Sequence, residues 1–317
     1  MRILVTGGNG SVGRELVPAL LARAHEVTVL DPELSALERL RAPRLRLVRG
    51  GVEDRAAVQV ATAGAEAAIH LAWSFSDDPA ILVGKDLLGH QTLLEVARAE
   101  GVRHLVYASS AVVYGKPAAG VAIAEDHPLR VLEARKPAYA IAKEAAEKLC
   151  LLAGRTGGPA ATILRFWWAF GDEIAGRHLR DLLAAAAAGT RLEVPEGCGG
   201  SFLSMGDLAD AVLAALLDPA AFGETFNVAS AFVTWEEIAR MAVEASGSRA
   251  GVTVVPPRTF AGPAFLADPW RLDGARIRAR LGWEPRDGPD AVKASLGRAV
   301  RRTWERVRAA RAPAGAA

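Results

Sequence analysis

The chain opens on an apolar run, Ile3, Leu4 and Val5, with no polar alternation, which predicts a strand buried on both faces. Leu16, Val17, Leu20 and Leu21 then recur at helical spacing. The alternation repeats through the first half. Strands are predicted at 23–30, 44–49, 67–71, 104–108 and 161–166, and helices at 55–63, 87–100 (ended by Gly101) and 139–153 (closed by Gly154). Strands alternating with helices of this length form βαβ units, hence an α/β fold with a doubly wound parallel sheet and helices on both faces. In such sheets ligands sit at the carboxyl ends of the strands. Here those ends are Thr6 to Gly8, Asp31, Leu71 to Trp73, Ser109-Ser110 and Trp167-Trp168.

The second half is less regular. Helices are predicted at 176–189, 207–217 and 235–246, the last capped by Thr234, with short strands at 191–194, 224–228 and 252–255. The strand at 224–228 reads as a return to the sheet. The expected organisation is a nucleotide-type domain over 1–171, with 200–230 returning to it, and a smaller interleaved lobe over 172–199 and 231–317 that covers the substrate. The Arg-rich stretch 298–311 has helical spacing and predicts a solvated helix face, and 312–317 a frayed end.

Composition narrows the partners. Among 317 residues, 38 Lys and Arg nearly cancel 36 Asp and Glu, so no global charge points to nucleic acid. Cys150 and Cys198 lie far apart without metal-ligand spacing, so reduced thiols and no metal are expected. No apolar run reaches membrane-spanning length, and the chain starts directly on a strand, not on a signal peptide. The expectation is a cytoplasmic protein that acts on a small molecule, with neither nucleic acid nor membrane as partner.

The candidate chemistry begins at Gly7, Gly8, Gly10 and Gly13, between the first strand and its helix. If a dinucleotide sits here, one glycine makes the tight turn, one lets the backbone approach the pyrophosphate, and Gly13 lets helix pack close on strand. The free N–H groups of the helix start, around Ser11 and Val12, then face the phosphates. Asp31 ends the second strand, where a carboxylate accepts from ribose hydroxyls and repels a 2′-phosphate. No Lys or Arg follows until Arg39, so NAD is favoured over NADP.

Tyr139 and Lys143 lie four apart at the start of a helix and share a face, while Ser109 and Ser110 end a strand. A phenol titrates near 10, so service as a base near neutrality needs stabilisation of the phenolate by roughly 4 kcal/mol. The Lys143 ammonium and a positive nicotinamide ring can supply it. Ser110 would then hydrogen-bond the substrate oxygen while Tyr139 takes or returns its proton.

At these residues the chain resembles the extended short-chain dehydrogenases/reductases, the NAD-dependent epimerase/dehydratase family. The matching segments are TGGNGSVG (6–13), AIHLAW (68–73), YASSAVVYG (107–115), YAIAK (139–143), GETFNVAS (223–230) and LGWEP (281–285). The resemblance implies a Rossmann-type domain for NAD, a Ser110–Tyr139–Lys143 site, and a homodimer formed through helices 87–100 and 139–153. Gly51, Val52, Leu71, Ala72, Trp73 and Ser109 complete the candidate cofactor contacts, together with Tyr139 and Lys143.

Several positions depart from the family's pattern. Ala111 and Val112 replace the acidic pair of sugar-nucleotide 4,6-dehydratases, which argues against that elimination. Trp168 stands where an Asn usually holds a nucleotide diphosphate, and Gly200 and Ser204 replace an arginine and a histidine. Gly51-Val52 stands for an Asp-Leu pair beside the adenine, and Asp86 for an Asn. Trp73, Phe75, Trp167, Trp168 and Phe170 cluster at strand ends, which suggests a flat apolar substrate surface or packing between lobes. His178, beside Arg177, is a further candidate for substrate contact, and His70 reads as a strand residue beside the cofactor. The expected activity is NAD-dependent hydride transfer at a secondary alcohol or ketone, as in a nucleotide-sugar epimerase. The alternatives are a dehydrogenase or ketoreductase on a more apolar metabolite, and a non-catalytic dinucleotide sensor.

Overall fold

A computed structural model describes residues 1–311; the end predicted to fray, 312–317, lies outside the described residues. The large sheet is built from β1 (Arg2–Thr6), β2 (Glu26–Asp31), β3 (Leu45–Arg49), β4 (Ala67–His70), β5 (His104–Ala108), β6 (Ala160–Arg165) and a later strand, Thr225–Asn227. Its seven strands are parallel and run β3-β2-β1-β4-β5-β6 with Thr225–Asn227 on the edge beside β6. Strand order reverses between β1 and β4, and the crevice at their carboxyl ends is where such sheets bind ligands. Four of the five β1 residues are buried, as a strand covered on both faces requires.

The helices around it are α1 (Ser11–Ala22), α2 (Arg55–Thr62), α3 (Pro79–Ile81), α4 (Leu88–Ala99) and α5 (Pro137–Arg155). Asp54 caps α2 by accepting from the Ala56 and Ala57 N–H groups. Two predicted boundaries fail. The helix expected from residue 87 begins earlier, because α3 runs through a π-helical turn, Leu82–Leu87, into α4. Gly154 does not end α5, which continues to Arg155; Gly157, with φ +82°, makes the turn.

The second half adds β7 (Trp168–Phe170), α6 (Arg177–Ala187), β8 (Leu192–Pro195), β9 (Gly199–Ser204), α7 (Met205–Ala215), β10 (the edge strand Thr225–Asn227), β11 (Ala231–Thr234), α8 (Trp235–Ser246), β12 (Val252–Val255), β13 (Pro269–Trp270), α9 (Ala275–Leu281) and α10 (Pro289–Arg311). Strand β9 pairs with β7, β11 and β13 in a small sheet, while β8 pairs with β12. The stretch 200–230 therefore divides: β9 lies in the small sheet, α7 packs on α1, and β10 joins the large sheet. Thr234 and Glu237 form a reciprocal capping box at the start of α8. The arginine face of α10 is exposed, with Arg302 and Arg306 pairing to Asp172 and Glu173. Among the described residues no helix is long and apolar enough to cross a membrane.

Candidate active site

The turn after β1 is shaped by what its glycines lack. Gly7 has φ +71°, and a Cβ there would sit 2.6 Å from the Ala72 nitrogen. A Cβ on Gly13 would run into the backbone of Gly8, so only glycine lets α1 approach the turn this closely. No side chain caps α1, whose first intrahelical bond runs from the Arg14 N–H to the Gly10 carbonyl. The amides of Ser11, Val12 and Gly13 are thus left without an intrahelical acceptor. An open glycine cradle over uncapped amides fits a pyrophosphate.

Asp31 is buried at the end of β2, its carboxylate accepting from the Asn9 and Glu33 N–H groups at 3.0 Å each. Gly51, Val52, Leu71, Ala72 and Trp73 line the same cleft as Gly7, Gly10 and Asp31. This cleft meets a second one at Gly7, Gly10, Leu71 and Phe75, where Ser11, Val12, Ser110, Tyr139, Lys143, Phe166 and Trp167 converge.

Tyr139 and Lys143 stand on the buried face of α5, which Pro137 starts. The Lys143 ammonium donates to the Ala108 carbonyl at 2.9 Å and lies 4.0 Å from the Trp73 ring centroid. Burial pulls Lys143 down to about 7, against Asp86 and Glu147, which favour the ammonium. The sequence leads one to expect a phenol depressed by Lys143 together with a bound nicotinamide, and the chain by itself supplies only the first of these. Instead, burial pushes Tyr139 up, opposed by a hydrogen bond from Ser110 and reinforced by Asp86. The Lys143 nitrogen is 5.9 Å from the Tyr139 ring centroid and engaged with Ala108 and the indole.

The two serines face different ways. The Ser109 hydroxyl donates to Glu147 at 2.5 Å inside the core, so as a cofactor contact it can offer only its backbone. Ser110 is half-buried beside Tyr139, and its Oγ accepts from the Val112 N–H at 3.3 Å.

Glu147, which the sequence reading passed over, anchors this arrangement. It sits one turn beyond Lys143 and accepts from Arg165 Nε at 2.9 Å and Nη2 at 2.6 Å. Arg165 reaches on to Tyr114, whose hydroxyl donates to Asn227. The ends of β5, β6 and β10 are thereby tied to the helix carrying Tyr139. A carboxylate four residues after Lys143, on the same face as Tyr139 and Lys143, is the sequence signal that could have found it.

Two further candidates do not reach the cleft. Trp168 donates from Nε1 to the Ala175 carbonyl at 2.8 Å, covers Gly176, and stacks on Phe202 at 5.6 Å. His178 stacks on Phe265 at 4.6 Å in the lobe. Neither ring lines the two clefts described above, and both are engaged in packing against Phe202 or Phe265. Trp167 does line the cleft, its indole lying over Gly200, where any Cβ would collide with it. His70 is buried with Nδ1 2.6 Å from the Thr6 hydroxyl, and burial holds it well below the usual histidine range.

A profile of the NAD dependent epimerase/dehydratase family matches residues 3–229. The chain is 30% identical over 310 residues to the UDP-glucose 4-epimerase of Corynebacterium glutamicum, covering 90% of this chain and 91% of that one. It is 32% identical over 310 residues to a 3-diazoavenalumate denitrifying reductase from a Streptomyces species, covering 90% and 96%. The crystal structure of the Thermus thermophilus UDP-glucose 4-epimerase in complex with NAD superposes with a TM-score of 0.74 at 26% identity, over 98% of this chain and 100% of that one. With its parallel sheet, glycine turn and this match over most of its length, the chain belongs to the NAD-dependent epimerase/dehydratase family.

Proposed function

We propose that the protein moves a hydride reversibly at a secondary alcohol or ketone carbon, with NAD as cofactor and Tyr139 as acid/base. The observation that carries this reading is the convergence of Ser110, Tyr139 and Lys143 in one cleft continuous with the glycine cradle. Ser110 orients the substrate oxygen by hydrogen bonding. Tyr139 takes the hydroxyl proton as the alcohol is oxidised and returns it to the oxygen as the ketone is reduced. Lys143, fixed by the Ala108 carbonyl 5.9 Å from the Tyr139 ring centroid, adds positive charge that works against the burial holding the phenol protonated. Gly7, Gly10, Gly13, the Ser11 and Val12 amides and Asp31 hold the cofactor, whose nicotinamide supplies or accepts the hydride when bound.

The test is Tyr139→Phe, which keeps the ring and removes the proton. Turnover should fall about 10²–10⁴-fold, while NADH affinity, followed by fluorescence, is retained. Full turnover on the true substrate would sink the reading. Ala111 and Val112 offer no acid or base beside Ser110, so we infer no elimination of the 4,6-dehydratase kind.

Two outcomes share this chemistry. Similarity to the UDP-glucose 4-epimerase supports transient oxidation of a nucleotide sugar with NAD retained. The aromatic lining of the cleft supports a ketoreductase that exchanges its cofactor. Stoichiometric NAD released on denaturation favours the first, and an empty protein that binds NADH reversibly favours the second. We further propose a homodimer through α4 and α5, whose outer faces expose Leu88, Ile141 and Leu152. Light scattering should return the mass of two 33.3 kDa chains.

A further inference from the structure

The loop after β4 holds an unusual residue. Phe75 has φ +55°, a left-handed conformation that costs a non-glycine residue about 1–2 kcal/mol. The residue is 68% exposed, yet its ring lies nearly parallel to that of Tyr139, with centroids 6.1 Å apart and planes at 19°. Strain of this kind persists only where neighbours enforce it. The neighbour is Asp86, buried, whose carboxylate accepts from the Ser74 N–H at 2.9 Å and the Ser74 hydroxyl at 2.5 Å. Asp86 is itself presented by the π-helical turn Leu82–Leu87.

A second aromatic wall comes from the loop after β6. Trp167 lines the cleft, rests on Gly200 and lies parallel to Phe265 at 5.8 Å. Between these walls the cleft offers the Ser110 and Tyr139 hydroxyls. Among the described residues, the one charged side chain that lines it is Lys143, buried and bonded to Ala108. A diphosphate asks for exposed cations or a cluster of N–H donors; a flat conjugated ring asks for π faces.

We propose that Phe75 and Trp167 are the specificity-determining walls of the substrate site, that the site takes a planar, uncharged aryl or conjugated ketone or its alcohol, and that Asp86 positions Phe75 over Tyr139. The substrate assignment rests on the acid/base reading of Tyr139, but the walls can be tested without turnover.

Binding of 2-acetylnaphthalene, cyclohexyl methyl ketone and UDP-glucose to the full chain saturated with NAD would be measured by calorimetry. The flat ketone should bind about tenfold more tightly than the puckered one. Phe75→Ser, at an exposed position, and Trp167→Leu should each erase most of that preference. Asp86→Ala should weaken it, and Asp86→Asn, which keeps an acceptor for the Ser74 N–H, should restore it. Tyr139→Phe should retain the preference, so unchanged turnover in that variant would remove the acid/base reading and leave the walls standing. Tighter binding of UDP-glucose than of 2-acetylnaphthalene, or a preference that survives both wall variants, would overturn the proposal.

Discussion

The two sides of the cleft are built on different principles. On the cofactor side the shape is set by absence, since Gly7 and Gly13 sit where a Cβ would strike backbone, and the ligands on offer are amides at a helix start. On the substrate side it is set by side chains, with Trp167 over Gly200 and stacked on Phe265, and Phe75 stacked on Tyr139. A backbone cradle tolerates almost no variation and suits a ligand that never changes. A wall of side chains can be rebuilt one residue at a time, which suits a substrate that differs between relatives.

The sharpest way to break the comparison is at Glu147, where both sides meet. Glu147→Ala leaves the Arg165 guanidinium buried without its partner. We expect a loss of about 3–5 kcal/mol in urea unfolding, with both sides of the cleft affected together. If only substrate binding suffered, the network would not be the common support described above.

Acid should separate the sides next. His70, His90 and His104 all lie in the large-sheet domain, and burial holds His90 down at about 3 and His104 at about 4. Below about pH 6.5 the unfolded chain protonates these histidines while the native one does not. Stability is therefore present above that pH and lost as pH falls toward the folded values. The urea midpoint should fall steadily from about pH 6.5 to about pH 4, and His90→Gln should flatten the decline.

At Gly13, alanine pushes a methyl group into the Gly8 backbone. A cost of about 1–3 kcal/mol is expected, together with weaker NADH binding by fluorescence titration. The smallest effect should come from Trp168→Phe. It removes the bond to Ala175 but keeps the ring, for about 1 kcal/mol of stability and turnover within about twofold, because Trp168 does not line the cleft.

What could be read from the chain follows the same division. The β1 turn, the alternation of strands and helices and the pairing of Tyr139 with Lys143 are written in local spacing, so apolar runs and an i, i+4 step suffice to find them. The resemblance singled out Ser110, but what takes the Ser109 hydroxyl out of play is Glu147, 38 residues further on, and nothing local records that contact. The two adjacent tryptophans likewise look equivalent until Gly200 and Gly176 are brought beneath them. The π-helical turn at 82–87 escapes a period of 3.6 altogether. The burial that raises Tyr139 is of the same kind, because it is a property of the whole fold.

The seat of Trp167 on Gly200 also carries a historical constraint. With the indole in place, no residue bearing a Cβ can occupy position 200, and with any such residue present the indole cannot lie where it does. An ancestor carrying a larger side chain at 200 could reach the present pair by one order of steps only, glycine first and tryptophan second. The reverse journey must begin at 167. The two positions are thus locked in sequence, and a laboratory effort to retune this enzyme that alters 200 alone will meet a dead end.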